Sequence, residues 1–336
     1  MNSFGSIFRV SMLGESHGSC VGVLIDGCPA GIELAVEDFL VDLDRRRAGA
    51  KGTTPRKETD IPILKSGIFN GKTTGAPILI LFDNNDTASA DYEKIKDTPR
   101  PGHADFVAIK KFGGFNDYRG GGHFSGRLTA AYVAAGVVAK KIILPIVVSA
   151  KIIEVGGKAD ITAAIDEAIA EGDSVGGLIE CSASGLPVGL GEPFFDSVES
   201  LIAHATFSIP AVKGVEFGSG FQSAKIKGSQ SNDEILDLLG TTKTNNAGGI
   251  NGGISNGNDL CFRVAIKPTS SIKKEKQTVS LSTGANVGLS VAGRHDACIA
   301  LRVPPVLEGS TAIVLADLLL LAQQTNRVHG YDYGNR

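Results

Sequence analysis

Short apolar runs and helix-spaced segments alternate along this chain, and the alternation occurs twice. "CVGVLIDG" (20–27) and "APILILFDN" (76–84) are apolar runs ended by Asp, Gly or Asn, and they read as buried strands. Between them, "AVEDFLVDLDRRRA" (35–48) puts Phe39, Leu40 and Leu43 on one helical face and ends in three arginines, which suit a helix C-terminus. "GRLTAAYVAAGVVAKKIIL" (126–144) is Ala-rich and predicts a long buried helix. The second half reuses the plan. "VVSAKIIEVGG" (147–157), "GGLIECSASGLP" (176–187), "VKGVEFGSGF" (212–221), "LCFRVAIKP" (260–268) and "KQTVSLST" (276–283) read as strands. "DITAAIDEAIAEGDS" (160–174) is an amphipathic helix stopped at Gly172, "DSVESLIAHATF" (196–207) a helix with Asp196 as N-cap, and "GSTAIVLADLLLLAQQTNR" (309–327) a final apolar helix. The order predicts an α+β fold, a pseudo-duplicated sandwich of sheet and helix layers, although no residue-level repeat is visible. No Pro- or Ser-rich linker divides the 336 residues, so the chain reads as one domain, 1–336.

Several function classes fall away at once. The formal net charge of −3 gives no global basic field for nucleic acid, so any anion site must be local. The N-terminus lacks a signal-peptide pattern, and no stretch reaches the roughly 20 apolar residues of a membrane helix. Five cysteines with no CxxC read as reduced thiols of a cytoplasmic protein. The 43 glycines are spread along the chain, so many loops need positive φ or close backbone approach.

The polar residues gather in glycine-rich loops. "DYRGGGHFSGR" (117–127) enters a helix, where its N–H groups would suit an anion, and Arg119 and Arg127 flank it; it reads equally as a tight turn capped by Ser125. "GESHG" (14–18) carries His17 in a glycine-bounded loop, and "RPGHAD" (100–105) turns at Pro101–Gly102 to present His103 between Arg100 and Asp105. "LDRRRAGAKGTTPRK" (43–57) is a basic cluster, either a solvated helix end or an anion clamp. "KPTSS" (267–271) offers Lys267 and three hydroxyls to a phosphate or a flavin edge. "GRHDACIALR" (293–302) adds Arg294, His295 and Asp296 at a strand start, and "NNAGGINGGISNG" (245–257) would let backbone approach a flat ligand. No metal site is expected: the histidines show no HxxxH spacing or carboxylate cluster. Together the loops point to acid–base chemistry on a strongly anionic small molecule.

"GESHG", "RPGHAD", "DYRGGG…S…R", "AGGINGGISNG", "KPTSS" and "RHD" stand in the order seen in chorismate synthases, and over nearly its whole length the chain resembles that family. The resemblance implies a β-α-β sandwich assembled as a homotetramer. It implies conversion of 5-enolpyruvylshikimate 3-phosphate to chorismate and phosphate by an anti 1,4-elimination that needs reduced FMN without net redox change. It assigns His17 an acid role near the phosphate, His103 the protonation or stabilisation of the reduced flavin, and Asp296 the carboxylate beside flavin N5, the acceptor of the ring proton. Flavin contacts fall on His123, Phe124, Ser125, Pro210, Ala211, Gly252, Lys267, Pro268, Thr269, Ser270, Ser271 and Arg294. A substrate with two carboxylates and a phosphate needs cations, and the expected clamp is Arg45, Arg46, Lys51 and Arg100, with Arg127 or Arg294 nearby.

Three departures from the family pattern stand out. His123-Phe124 replaces the usual Arg-Ser, and Ala48 and Ala297 stand where proline is usual. The chain shows no added domain, so an external reductase is expected to supply the flavin, with NADPH needed only if the protein reduces flavin itself. The apolar helix at 309–327 is read as support for a subunit interface. The competing readings are a non-catalytic module for a phosphorylated metabolite and a phosphoryl-transfer enzyme; neither predicts dependence on flavin.

Overall fold

The computed structural model describes residues 2–54, 58–87, 89–93, 95–291 and 295–324. The chain builds two antiparallel sheets with helices between them. The first half contains β1 (Ser3–Phe4), β2 (Arg9–Gly14), β3 (Cys20–Asp26), α1 (Glu37–Arg46), β4 (Ile63–Leu64), β5 (Ile68–Phe69), β6 (Lys72–Thr73), β7 (Ile78–Asp83), α2 (Ala90–Glu93), α3 (Asp105–Lys111) and α4 (Thr129–Ile142). The second contains β8 (Val147–Val155), α5 (Ile161–Ala170), β9 (Gly177–Ser184), α6 (Val198–Phe207), β10 (Val212–Phe217), α7 (Gly228–Ser231), β11 (Ile250–Asn251), β12 (Ile254–Ser255), β13 (Leu260–Ile266), β14 (Lys276–Val279), β15 (Asn286–Leu289) and α8 (Pro304–Gln324).

The strand orders are β1-β2-β3-β7-β4 in the five-stranded sheet and β10-β13-β9-β8 in the four-stranded one. These orders reveal the duplication that the residues conceal. Each half makes an antiparallel pair (β2 and β3; β8 and β9), a helix (α1; α6) and an edge strand (β4; β10). Each then makes a small hairpin (β5–β6; β11–β12) and returns to insert a strand between the pair and the edge (β7; β13). A long excursion and a long helix (α4; α8) close each unit. The GESHG loop, joining β2 to β3, corresponds in the second half to the connection that carries α5.

Helix α4 packs on β3 and β7, and α8 on β8 and β9, so the helices fill the space between the sheets. Small residues let α4 and α8 meet closely: a Cβ at Gly136 would collide with Gly309 Cα. Helix α8 begins at Pro304, a turn earlier than its spacing suggested, because Pro304 and Pro305 occupy a first turn whose N–H groups need no helical partner. It is long and apolar enough to cross a bilayer, yet Pro304–Leu318 is buried by this chain's own sheets and helices. Its apolarity therefore reports a core and not a subunit interface. Two of its carboxylates tie layers together. Asp317 accepts from the N–H groups of Ser6, Ile7 and Phe8 at 2.7–2.9 Å. Glu308 accepts from Arg45, Lys140 and the Ala150 N–H.

Some local expectations change. Ser197, not Asp196, caps α6, its hydroxyl accepting from Ser200 N–H at 3.1 Å. Residues 295 and 296 precede a 3-10 turn, Ile299–Arg302, and not a strand. Two glycines of 245–257 serve packing: a Cβ at Gly248 would lie 2.5 Å from Gly218 N, and one at Gly253 2.7 Å from Ser197 Cβ, whereas one at Gly252 would meet nothing within 4 Å.

Candidate functional site

The long excursion after β7 carries RPGHAD and the glycine loop; the one after β13 carries KPTSS and Asp296. The two excursions meet where Arg100 and Gly102 bond to Ser271, Ser270 and Lys267.

The three consecutive glycines have three different neighbours. All have positive φ (59°, 81° and 54°). A Cβ on Gly120 would lie 2.5 Å from His17 Nε2 and 2.8 Å from Ser16 Oγ. One on Gly121 would lie 3.2 Å from His103 Cε1, and one on Gly122 would collide with the Asp117 carbonyl. The loop is glycine because its backbone passes over both histidines and then over itself. The tight turn read from sequence is built: Ser125 caps the following 3-10 turn, its Oγ accepting from Arg127 N–H at 3.3 Å. The backbone is also sewn to the GESHG loop, Ser16 N–H donating to Gly122 O at 3.1 Å and His123 Nδ1 to Gly14 O at 2.8 Å.

His103 donates from Nδ1 to Asp105 Oδ1 at 2.6 Å, which sets its tautomer, and its Nε2 lies 3.3 Å from Arg100 Nη2, from which it accepts. Arg100 completes the cluster through Nε to Asp105 Oδ2 at 2.7 Å and Nη1 to Ser271 Oγ at 3.1 Å. The KPTSS residues brace this turn: Lys267 Nζ and Ser270 Oγ both donate to Gly102 O. Lys267, Ser270 and Ser271, expected at the flavin, thus also hold the His103 turn, Ser271 through Arg100. Burial, and then the nearby Lys213, hold the Lys267 ammonium below its ordinary pKa.

Beside the glycine loop lies a cleft of about 410 Å³, in the size range of small-molecule sites. Its lining includes Arg46, Arg47, Arg127 and Arg302 against Glu58, Asp60 and Asp296, four guanidiniums to three carboxylates, together with His295. Asp60, 3% exposed, is the pivot: it accepts from Arg46 Nη1 at 2.9 Å and from Arg127 Nη1. Arg127 also donates to Asn84 Oδ1 at 2.9 Å, and Arg46 to Thr129 Oγ1 at 2.9 Å. Asp296 accepts from Thr54 N–H at 2.9 Å and lies 3.5 Å from Arg302 Nη1. Two buried polar atoms in the lining, Arg47 Nε and Thr269 Oγ1, have no hydrogen-bond partner among the described residues. An anionic ligand fits that demand.

The expected clamp is therefore redrawn. Consecutive residues on a helix point about 100° apart. Arg45 turns away to Glu308 (2.7 Å), and Lys51 pairs with Asp166. Arg100 belongs to the His103 cluster, and Arg46 and Arg127 form the buried wall. The arginine that spacing alone did not single out is Arg47, just past the helix end. Asp60, Asn84 and Arg302 were also missed, each being an isolated polar residue with no pattern to mark it.

The residues expected at flavin fall in several places. Thr269 and Ser125 line the cleft. Ser125 also lines a neighbouring cavity of about 240 Å³ with His123 and Pro210. Phe124 stands beside His103 in a crevice with Tyr92. Ser271 lines a cavity of about 200 Å³ that shares His295 and Asp296 with the cleft. Ala211, with φ 76°, accepts from Lys267 N–H; Pro268 is exposed; and Gly252 is the turn of hairpin β11–β12, lining none of these cavities. Arg294 lies outside the described residues.

Two buried carboxylates make the fold sensitive to acid. Burial alone would raise the Asp105 carboxyl, but hydrogen bonds from Arg100 and then His103 outweigh it and hold it far below its ordinary range. Burial likewise raises Glu308, and hydrogen bonds from Arg45 and Lys140 bring it below. Both folded-state values are depressed, so the unfolded chain takes up these protons first. The stability they contribute is complete above the unfolded carboxyl values, about pH 4–5, and is lost as pH falls through the folded ones. Urea unfolding followed from pH 6 to pH 3 is expected to show falling stability, with a shallower fall in Glu308→Gln; an equal slope in that variant would contradict the assignment.

A family model described as chorismate synthase matches residues 8–320. The chorismate synthase of Chitinophaga pinensis is 65% identical over 329 residues, covering 98% of this chain and 99% of the relative. That of Dehalococcoides mccartyi strain BAV1 is 48% identical, covering 97% and 99%. A solved structure titled "Crystal Structure of Chorismate Synthase" is similar with a TM-score of 0.74 and 28% identity, covering 95% of this chain and 93% of the other.

Proposed function

The chain belongs to the chorismate synthase family, lyases of aromatic amino acid biosynthesis, and on that premise we propose that, as a single domain, it converts 5-enolpyruvylshikimate 3-phosphate to chorismate and phosphate by anti 1,4-elimination with reduced FMN. The observation that carries the reading is the cleft itself: among the described residues its lining has one more guanidinium than carboxylates, and Arg47 Nε and Thr269 Oγ1 are buried without a hydrogen-bond partner.

The roles follow from the positions. Arg47 binds the anionic substrate directly, and the Arg46–Asp60–Arg127 wall behind it carries a net positive charge that favours phosphate and carboxylate. His17, which lies behind Gly120 of the cleft lining with Nε2 towards it and does not itself line the cleft, donates a proton to the departing phosphate. Asp296, oriented by the Thr54 N–H and the Arg302 guanidinium, receives the ring proton. Reduced FMN, when bound, supplies an electron that is lent and recovered, easing phosphate loss from an allylic carbon whose opposite C–H is unactivated. Thr269, Ser125 and the turn up to Arg127 would hold it, with His103 fixed by Asp105 as the nearby proton source. The homotetramer, the cytoplasmic location and an external flavin reductase belong to the same proposal and rest on family resemblance.

Arg47→Ala is the direct test. Losing a charge-assisted contact to the substrate is expected to raise KM about 10- to 100-fold with a smaller change in kcat. Arg45→Ala, on the Glu308 side of the helix, is expected to change stability and leave KM in place. An unchanged KM in Arg47→Ala would remove the anion-binding assignment.

A further inference from the structure

The one-turn helix α2 lies where three loops of the site meet. Ser89, just before it, places Oγ 2.9 Å from His17 Nδ1. Tyr92, three residues on, sets its ring edge-to-face with the His17 imidazole, centroids 5.2 Å apart and planes at 84°. The same ring takes the Arg100 guanidinium 5.7 Å from its centroid. Glu93 accepts from the Tyr118 hydroxyl at the start of the glycine loop. The turn closes on itself through Tyr92 N–H to Ser89 O at 3.1 Å, and the three-residue spacing puts both side chains towards His17. This short segment thus touches the GESHG, RPGHAD and glycine loops at once.

We infer that Ser89 is a positioning residue for the reaction: its hydroxyl accepts from His17 Nδ1–H and so fixes the imidazole tautomer, with the α2 turn as its mount. The inference rests on the proton-donor role proposed for His17. The two ring nitrogens face opposite sides, Nδ1 towards Ser89 and Nε2 towards Gly120, which lines the cleft. With Nδ1–H held by Ser89, the proton exchanged with the substrate phosphate is the one on Nε2. Imidazolium gives its Nε2 proton to a phosphate oxygen and is left as the neutral Nδ1–H ring, still bonded to Ser89. Without the hydroxyl, the neutral ring is free to move to the Nε2–H tautomer and to rotate about its side-chain torsions. Tyr92 restrains rotation, but a ring edge does not select a tautomer.

The test combines NMR and kinetics on the full chain, with Ser89→Ala and Ser89→Thr; circular dichroism confirms that each variant folds. Long-range 1H–15N spectra distinguish protonated from unprotonated imidazole nitrogens, and the His17 signals are identified by their loss in His17→Ala. In the unsubstituted protein, neutral His17 is expected as the Nδ1–H form. Ser89→Ala is expected to shift it towards Nε2–H and to lower kcat about tenfold with KM changed by less than about twofold, while Ser89→Thr restores both. His17 signals unchanged by Ser89→Ala would overturn the inference. A shifted tautomer with unchanged kcat would leave Ser89 as the group that fixes the ring and would remove the donor role of His17, so the two failures are told apart.

Discussion

Asp60→Ala is expected to destabilise the protein by about 3–5 kcal/mol, the cost of stranding buried charge. Asp60 is the carboxylate that offsets part of the charge on the inner wall of the cleft, bonded to both Arg46 and Arg127. Both guanidiniums are nearly inaccessible, at 2% and 5% exposure. Arg46 would keep Thr129 and two backbone carbonyls, and Arg127 would keep Asn84 and the Asp83 carbonyl. Those neutral acceptors satisfy N–H groups without balancing charge. Thermal unfolding of Asp60→Ala beside Asp60→Asn separates the two effects: the amide retains hydrogen-bond capacity and loses only the charge. A midpoint for Asp60→Ala equal to the unsubstituted protein's would show that the wall is not held by this carboxylate. Because a ligand anion can take over part of the charge balance, inorganic phosphate is expected to recover more stability in Asp60→Ala than in the parent.

The largest expected effect on turnover comes from one methyl group. Gly120→Ala places a carbon 2.5 Å from His17 Nε2 and 2.8 Å from Ser16 Oγ, at a backbone φ of 59° that an L side chain resists. The strain costs about 1–2 kcal/mol of stability, which a chain of this size tolerates. The displacement of His17 is the more serious consequence. A catalytic group shifted by about 1 Å loses on the order of 10²-fold in rate, and kcat is expected to fall by that factor while the circular dichroism spectrum is retained. Gly121→Ala should be milder, since the nearest His103 atom lies 3.2 Å away. A Gly120→Ala enzyme of normal kcat would show that the histidine behind the loop is not part of the chemistry.

What the sequence made legible was local. Apolar runs and helical spacing marked the main strands and helices, and the motif order pointed to the family. The repeated alternation of elements pointed to the duplication, but the strand order in each sheet was hidden, because it depends on which strand returns between which neighbours, and no periodicity encodes that. Side-chain direction was hidden too. From "RRR" the sequence reading takes Arg45 and Arg46 for the clamp, and only the helix rotation and its end at Arg46 separate Arg45, turned to Glu308, from Arg47 at the cleft. Asp60 escaped notice because one acid in a loop has no signature until two buried arginines converge on it. The KPTSS hydroxyls were legible as polar and near the site. The partner of the Ser270 hydroxyl, the carbonyl of Gly102, is backbone, and backbone acceptors are invisible to motif reading.

The most direct test of the account is an anaerobic assay of the purified protein with dithionite-reduced FMN and 5-enolpyruvylshikimate 3-phosphate, following chorismate absorbance and phosphate release together. The account predicts equal amounts of both products, none when the FMN is oxidised, and none with NADPH and oxidised FMN unless a separate reductase is added. No product from a folded protein that binds both FMN and substrate would contradict it.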